Sequence, residues 1–370
     1  MNNAGASLPP EPVLDAVIGH LRLEASTGGY EAAAVEREAI EHTYDALAGL
    51  LGARREEIAL VENATRAWDM AFYALPLGPG DRILTATWEY ASNVIAFMQL
   101  ARRRGVRMDV VPDDPTGQLD VDALRDLLDE RVRLIAVNHV PTHNGLVNPA
   151  AEIGRVAREA GVPYLLDACQ SVGQMPIDVA GIGCDMLSAT GRKFLRGPRG
   201  TGFLFVSERL IDQLDPPFLD LHAAEWTGPD EFVMRADARR FESWESAQAC
   251  RIGLGVAVDY ALALGLDAIQ ERVTWLAADL RQRLRAIPGV TVHDRGARQC
   301  AIVTFSVAGR DAGEVATTLA RHRINVSRSE PGAARYDFDA RGLPALVRAS
   351  VHYYNTEEEL AALCGVVERL

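Results

Sequence analysis

The sequence predicts an α/β protein with a large domain, built on a mostly parallel sheet covered by helices, followed by a smaller α+β C-terminal domain. From about residue 58 short apolar runs alternate with segments of helical period, the pattern of strands joined by crossover helices. Past Pro288-Gly289 the order becomes strand–strand–helix–strand–strand–helix, which describes a compact α+β unit. At 370 residues and 48% hydrophobic, the chain is long and apolar enough to bury a core of that size.

The strands of the large unit are read from Glu57-Ile58-Ala59-Leu60-Val61, Arg82-Ile83-Leu84-Thr85, residues 106–111, Leu134-Ile135-Ala136-Val137, Pro163-Tyr164-Leu165-Leu166, Met186-Leu187-Ser188 and Gly202-Phe203-Leu204-Phe205-Val206. Helical periods at residues 121–128 and 150–160 lie between them. A polar, tryptophan-bearing stretch at 219–245 reads as a loop, and helices follow at 250–264 and 267–287. The small unit reads as strands at 290–292, 301–305, 324–326 and 346–350, with helices at 312–322 and from 357. The expected division is residues 15–255 for the large domain and 1–14 with 256–370 for the small one.

The net charge of -13 and the absence of basic runs argue against nucleic acid or an anionic membrane as the main partner. Arg102-Arg103-Arg104 reads as a solvated helix end. No stretch reaches the roughly 18 apolar residues of a membrane span, and the amino terminus has no signal-peptide core, so a cytoplasmic location is expected. Five scattered cysteines suit a reducing compartment without disulfides. No metal is expected: His139 and His143 flank Pro141, which breaks a shared helix face, and no cysteine or further histidine is near.

Lys193 is the only lysine among 38 basic residues; every other is arginine. Arginine stays charged at working pH, whereas a desolvated lysine can lose its proton and form a Schiff base with an aldehyde, of which pyridoxal 5'-phosphate (PLP) is the common cofactor example. Other candidates fall at predicted strand ends, which in such sheets deliver side chains to one rim. Glu62-Asn63-Ala64-Thr65-Arg66 opens a helix, so its amides and the Thr65 hydroxyl suit a phosphate, or form a plain N-cap. Asp167 follows Tyr164-Leu165-Leu166 and suits a pyridinium nitrogen, or a helix cap. Thr190 lies three residues before Lys193, close enough for its hydroxyl to reach the same phosphate, and Tyr90 is placed to stack on an aromatic ring.

Asp167-Ala168-Cys169-Gln170, Thr190-Gly191-Arg192-Lys193 with Gly197-Pro198-Arg199-Gly200-Thr201-Gly202, and Arg348 with its flanks through Thr356 resemble the class V aminotransferase group of fold-type I PLP enzymes. That group includes cysteine desulfurases, selenocysteine lyases, isopenicillin N epimerase and cysteine-conjugate C–S lyases, and the likeness covers nearly the whole chain. The resemblance implies a fold-type I PLP-dependent transferase fold and a homodimer with active sites near the subunit interface. It makes Lys193 the covalent anchor and base, Asp167 the pyridinium partner and Gln170 a ligand of the phenolic oxygen. Ala64, Thr65 and Thr190 would hold phosphate, Arg192 replaces the usual histidine, Tyr90 replaces a stacking histidine, and Thr142 stands where an asparagine often contacts the ring. Arg348 would clamp the α-carboxylate of a small amino-acid substrate, and Asn3 and Ala4 belong to a segment bordering it.

Two departures bear on the reaction. Desulfurases carry a nucleophilic cysteine on the loop before the clamp arginine, where this chain has Ser327-Arg328-Ser329-Glu330-Pro331-Gly332-Ala333-Ala334-Arg335-Tyr336. Without that thiolate a persulfide has no acceptor. Phe241-Glu242-Ser243-Trp244-Glu245 also stands where desulfurases place a threonine that reaches the partner's phosphate. The expected activity is β-elimination from an S-substituted L-cysteine or its sulfoxide, releasing thiol or sulfenate with pyruvate and ammonia, as in ergothioneine-type or other sulfur natural-product metabolism. Arg192, Arg328 and Arg335 offer charge for an acidic or sulfoxide-bearing substrate, or are simply solvated. Epimerisation, decarboxylating deamination and transamination remain the alternatives on this scaffold, as does a non-enzymatic role.

Overall fold

The structure is a computed structural model describing residues 1–370. Seven strands form the large sheet: β1 (Ile58–Val61), β2 (Arg82–Ala86), β3 (Arg107–Val111), β4 (Val132–Asn138), β5 (Tyr164–Asp167), β6 (Met186–Thr190) and β7 (Gly202–Val206). Their spatial order is β1-β7-β6-β5-β4-β2-β3. Only β7 runs against the rest, pairing antiparallel with β1 and β6; the pairs from β6 through β3 are parallel.

The apolar runs are continuous because both faces of this sheet are covered. Along β4, Leu134 and Ala136 pack into one core cluster while Ile135 and Val137 pack into the other. Trp68 and Phe72 from helix Ala64–Tyr73 and Phe97 from helix Ala91–Arg104 close the first face as an aromatic group, with Trp68 and Phe72 stacked at 4.6 Å. Helices Arg37–Leu51 and Ala150–Ala160 cover the second face through Tyr44, Leu47, Ile153 and Val156. No single helix is long and apolar enough to cross a membrane.

The stretch expected as a loop at 219–245 contains a two-stranded hairpin, β8 (Ala224–Gly228) and β9 (Glu231–Met234). Its side chains are mostly exposed, so no buried alternation marked it. The small sheet is β10 (Val290–Val292), β11 (Ile302–Val307), β12 (Ser327–Ser329) and β13 (Leu346–Ser350), antiparallel in the order β10-β11-β13-β12. Leu276, Leu280, Leu319 and Leu363 from its helices join the same core cluster as the large sheet's second face.

Three other expectations shift. The strand read at 324–326 lies at Ser327–Ser329, because Arg323 (φ 61) and the Ile324 amide bonded to Leu319 O still belong to a helix exit. The expected division between residues 255 and 256 falls within helix Gln248–Leu264, which ends before Gly265 (φ 85). The segment after β12 folds as a short 3₁₀ turn and helix Arg335–Arg341, held by buried Asp337 and Phe338.

Candidate active site

Because β4, β5 and β6 are parallel neighbours, their last residues Asn138, Asp167 and Thr190 reach one rim. A cavity of about 430 Å³ opens there, and all nine residues expected around the cofactor line it: Ala64, Thr65, Tyr90, Thr142, Asp167, Gln170, Thr190, Arg192 and Lys193. Asn63 of the expected phosphate turn lines it too, and Asn93, Asn138, Val140 and Cys169, given no role from the sequence, complete the wall.

One end is built by a helix start. Asn63 caps helix Ala64–Tyr73 by accepting from the Arg66 amide at 2.9 Å, so the plain N-cap is present. The other first-turn amides have no intrahelical acceptor and face the cavity end where a phosphate is favoured. β7 presses on this turn from below: a Cβ at Gly202 would lie 2.4 Å from the Asn63 carbonyl carbon, so only glycine permits the approach. Thr190 reaches the wall, but its hydroxyl proton goes to Thr201 O at 3.0 Å.

At the middle of the cavity Lys193 Nζ donates to Cys169 Sγ at 3.3 Å. Asp167 accepts from the Cys169 amide at 2.9 Å and from Asn93 Nδ2 at 3.1 Å. Burial pushes the Asp167 carboxyl above its usual range, opposed by the Cys169 amide and the Lys193 charge. Burial likewise pushes the Cys169 thiol up, so it is held protonated despite the neighbouring lysine.

Arg192 lines the cavity, and a second arginine, Arg348, sits behind the wall at Thr142. Arg348, 9% exposed, donates through Nη1 to Thr142 O at 2.7 Å and Thr142 Oγ1 at 2.8 Å, and through Nε to Ser327 Oγ at 2.9 Å. Burial lowers it to about 10, with Arg192 adding repulsion, and no carboxylate lies within ion-pair distance of it. Arg192 donates to Gly5 O, and Gln170 Nε2 donates to Ala4 O at 3.2 Å and Thr142 Oγ1 at 3.1 Å. Ala4 thus borders the site through its backbone.

Two expected substrate ligands are elsewhere. Arg328 pairs with Glu330 at 3.4 Å and is half exposed, because strand alternation along β12 turns Ser327 toward Arg348 and Arg328 outward. Asn3 is buried and its side chain is committed: Nδ2 donates to Ser350 O at 2.7 Å and Oδ1 accepts from Tyr354 OH. It fastens the amino-terminal segment to β13.

PLP fits this donor set. The first turn of helix Ala64–Tyr73, the Asp167 carboxylate and the Lys193 amine line one cavity, and buried Gln170 Oε1 there has no protein partner. Fold and site together define a pyridoxal-phosphate-dependent enzyme. The family profile described as Aminotransferase class-V matches residues 1–363. A probable cysteine desulfurase of Xylella fastidiosa (strain 9a5c) is 36% identical over 327 residues, 87% of this chain and 78% of the relative. The apo structure of a cysteine desulfurase from Thermococcus onnurineus NA1 superposes with a TM-score of 0.93 at 27% identity, covering 99% of this chain and 93% of that one. The cystine C–S lyase C-DES, solved with cysteine persulfide, shares the fold at a TM-score of 0.89 and 23% identity, covering 99% and 96% of the two chains. The chain belongs to the class-V aminotransferase family.

Proposed function

We propose that this chain is a carbon–sulfur lyase that eliminates the β substituent of an S-substituted L-cysteine, R–S–CH₂–CH(NH₃⁺)–COO⁻, giving RSH, or the sulfenate from a sulfoxide, with pyruvate and ammonium after hydrolysis. The bound cofactor supplies an aldehyde that condenses with an amine and a ring that accepts the electron pair left at Cα. Arg348 orients the substrate: its planar fork matches a carboxylate bidentately, and as a buried cation without a protein anion it favours one from outside. Lys193 is the amine that would anchor the cofactor aldehyde, and it is the base that would take the Cα proton and pass a proton to the departing sulfur. Asp167 would hold the ring-nitrogen end of the cofactor.

The observation that carries this reading is the fate of the segment between β12 and β13. It contains no cysteine and ends in helix Arg335–Arg341, pinned by Asp337 to His143 Nε2 at 3.2 Å. The cysteine that does line the cavity, Cys169, accepts from Lys193 Nζ, and burial pushes its thiol up, which disfavours the thiolate needed to attack sulfur. With Arg348 kept and no thiolate acceptor, elimination is favoured over sulfur transfer to the enzyme, although the relatives are named desulfurases.

A homodimer belongs to this reading, with the exposed Trp226, Phe232 and Val233 of the β8–β9 hairpin as apolar surface for a second copy. The five unpaired thiols fit a reducing cytoplasm. The test is incubation with S-alkylcysteines, their sulfoxides and free cysteine without any keto acid. Thiol and pyruvate in equal amounts are expected; alanine with enzyme-bound sulfur would overturn the proposal.

A further inference from the structure

A second carboxylate lies behind Asp167, and the chemistry described so far does not use it. Glu89, 1% exposed, precedes Tyr90 at the start of helix Ala91–Arg104. Its Oε1 accepts from Asn93 Nδ2 at 2.7 Å and from the Tyr90 amide at 3.0 Å. Its Oε2 accepts from the Asn138 amide at 3.0 Å and from Thr85 Oγ1 at 3.3 Å. Asn93 Nδ2 also donates to Asp167 Oδ2 at 3.1 Å, so one amide bridges two carboxylates.

This is an expensive arrangement for mere structure. A buried charge is ordinarily offset by a cation, yet every partner of Glu89 is a neutral donor. Both oxygens receive two donors, which a glutamine cannot match: its amide would face either the Asn93 and Tyr90 donors or the Asn138 and Thr85 donors. The titratable neighbours are Asp167 and Tyr164, both from β5, with Lys193 beyond Asp167. Burial first, and the Asp167 charge second, push the Glu89 carboxyl up to about 7, so above that pH two negative charges share one amide.

We propose that Glu89 is a positioning residue for the cofactor's ring nitrogen: through Asn93 it fixes the Asp167 carboxylate, and its charge raises the proton affinity of the site that Asp167 shares with that nitrogen. The inference rests on the reading that Asp167 meets the ring nitrogen. A second anion close to a shared proton makes that proton harder to lose, while the Asn93 N–H keeps Asp167 aimed.

The test compares binding of PLP and of 1-deazapyridoxal 5'-phosphate, in which C–H replaces the ring nitrogen, to the cofactor-free full chain at pH 8. The ratio of the two dissociation constants cancels the contributions of Lys193 and the phosphate. Wild type is expected to prefer PLP, Asp167→Asn to lose the preference, and Glu89→Gln to reduce it by about tenfold, the equivalent of one pKa unit. If Asp167→Asn loses the preference while Glu89→Gln keeps it, Glu89 has no such role and the Asp167 reading stands. If Asp167→Asn keeps it, that reading fails and this inference with it. Glu89→Met, which removes the charge and the bond to Asn93 with a side chain of similar length, decides the matter if Glu89→Gln does not fold: a reduced preference supports the role, and an unchanged one overturns it.

Discussion

At the residue scale, the cavity and the arginine behind its wall at Thr142 are organised by what each side chain lacks. Arg348 has donors to spare and no anion; Gln170 Oε1 has no donor. Replacing Arg348 with lysine keeps the charge and loses the parallel pair of hydrogen bonds, so KM should rise about tenfold or more with kcat little changed. An unmoved KM in steady-state kinetics would remove Arg348 from substrate binding. His352 gives a pH prediction. It is buried, with Nε2 bonded to Phe194 O at 3.0 Å and Nδ1 accepting from the Tyr353 amide at 2.9 Å, and burial lowers it to about 3. Between about pH 6.5 and that value the unfolded chain binds a proton that the folded one refuses, so stability falls as pH falls, by about 1.4 kcal/mol per pH unit from this group. Glu89 and Asp113, raised to about 7 and about 6, act in the opposite sense. The comparison of wild type with His352→Gln in urea unfolding from pH 6.5 to 5 isolates the histidine; parallel pH profiles would contradict it.

At the element scale, the strands were legible because both faces of the sheet are covered, which writes each as an unbroken apolar run. The cavity-lining residues were legible for a linked reason: Asp167, Thr190 and Lys193 come at or just after such runs, at one rim of the parallel sheet. Arg328 was misplaced because reading the strand at 324–326 left 327–336 as a loop, while the true pairing of Ser327 with Arg348 fixes which side chain faces inward. The hold on Asn3 was not legible because its partners Ser350 and Tyr354 lie 347 and 351 residues away. Glu89 and Asn93 stand four apart at a helix start, the spacing that sets two side chains side by side. The β8–β9 hairpin escaped because its apolar side chains face solvent; Trp226 is 79% exposed. If a second copy covers it, Trp226→Glu with Phe232→Glu should shift the protein from dimer to monomer in light scattering, and an unchanged mass would exclude the hairpin from the interface.

At the scale of the whole molecule, the amino-terminal segment ties the two sheets together around the cavity. Ala4 N donates to Ser350 Oγ at 2.9 Å on the small sheet, while Ala4 O and Gly5 O accept from Gln170 and Arg192 at the large one. The carboxylate end, the lysine and the ring-nitrogen end are therefore held by one connected frame, and the account stands on the amine at its centre. A chain with a single lysine makes that amine directly observable. Borohydride reduction of the yellow holoenzyme, followed by peptide mass mapping, should find one pyridoxyl phosphate adduct, on the peptide containing Lys193; its absence there, or its presence on the amino terminus alone, would contradict the account.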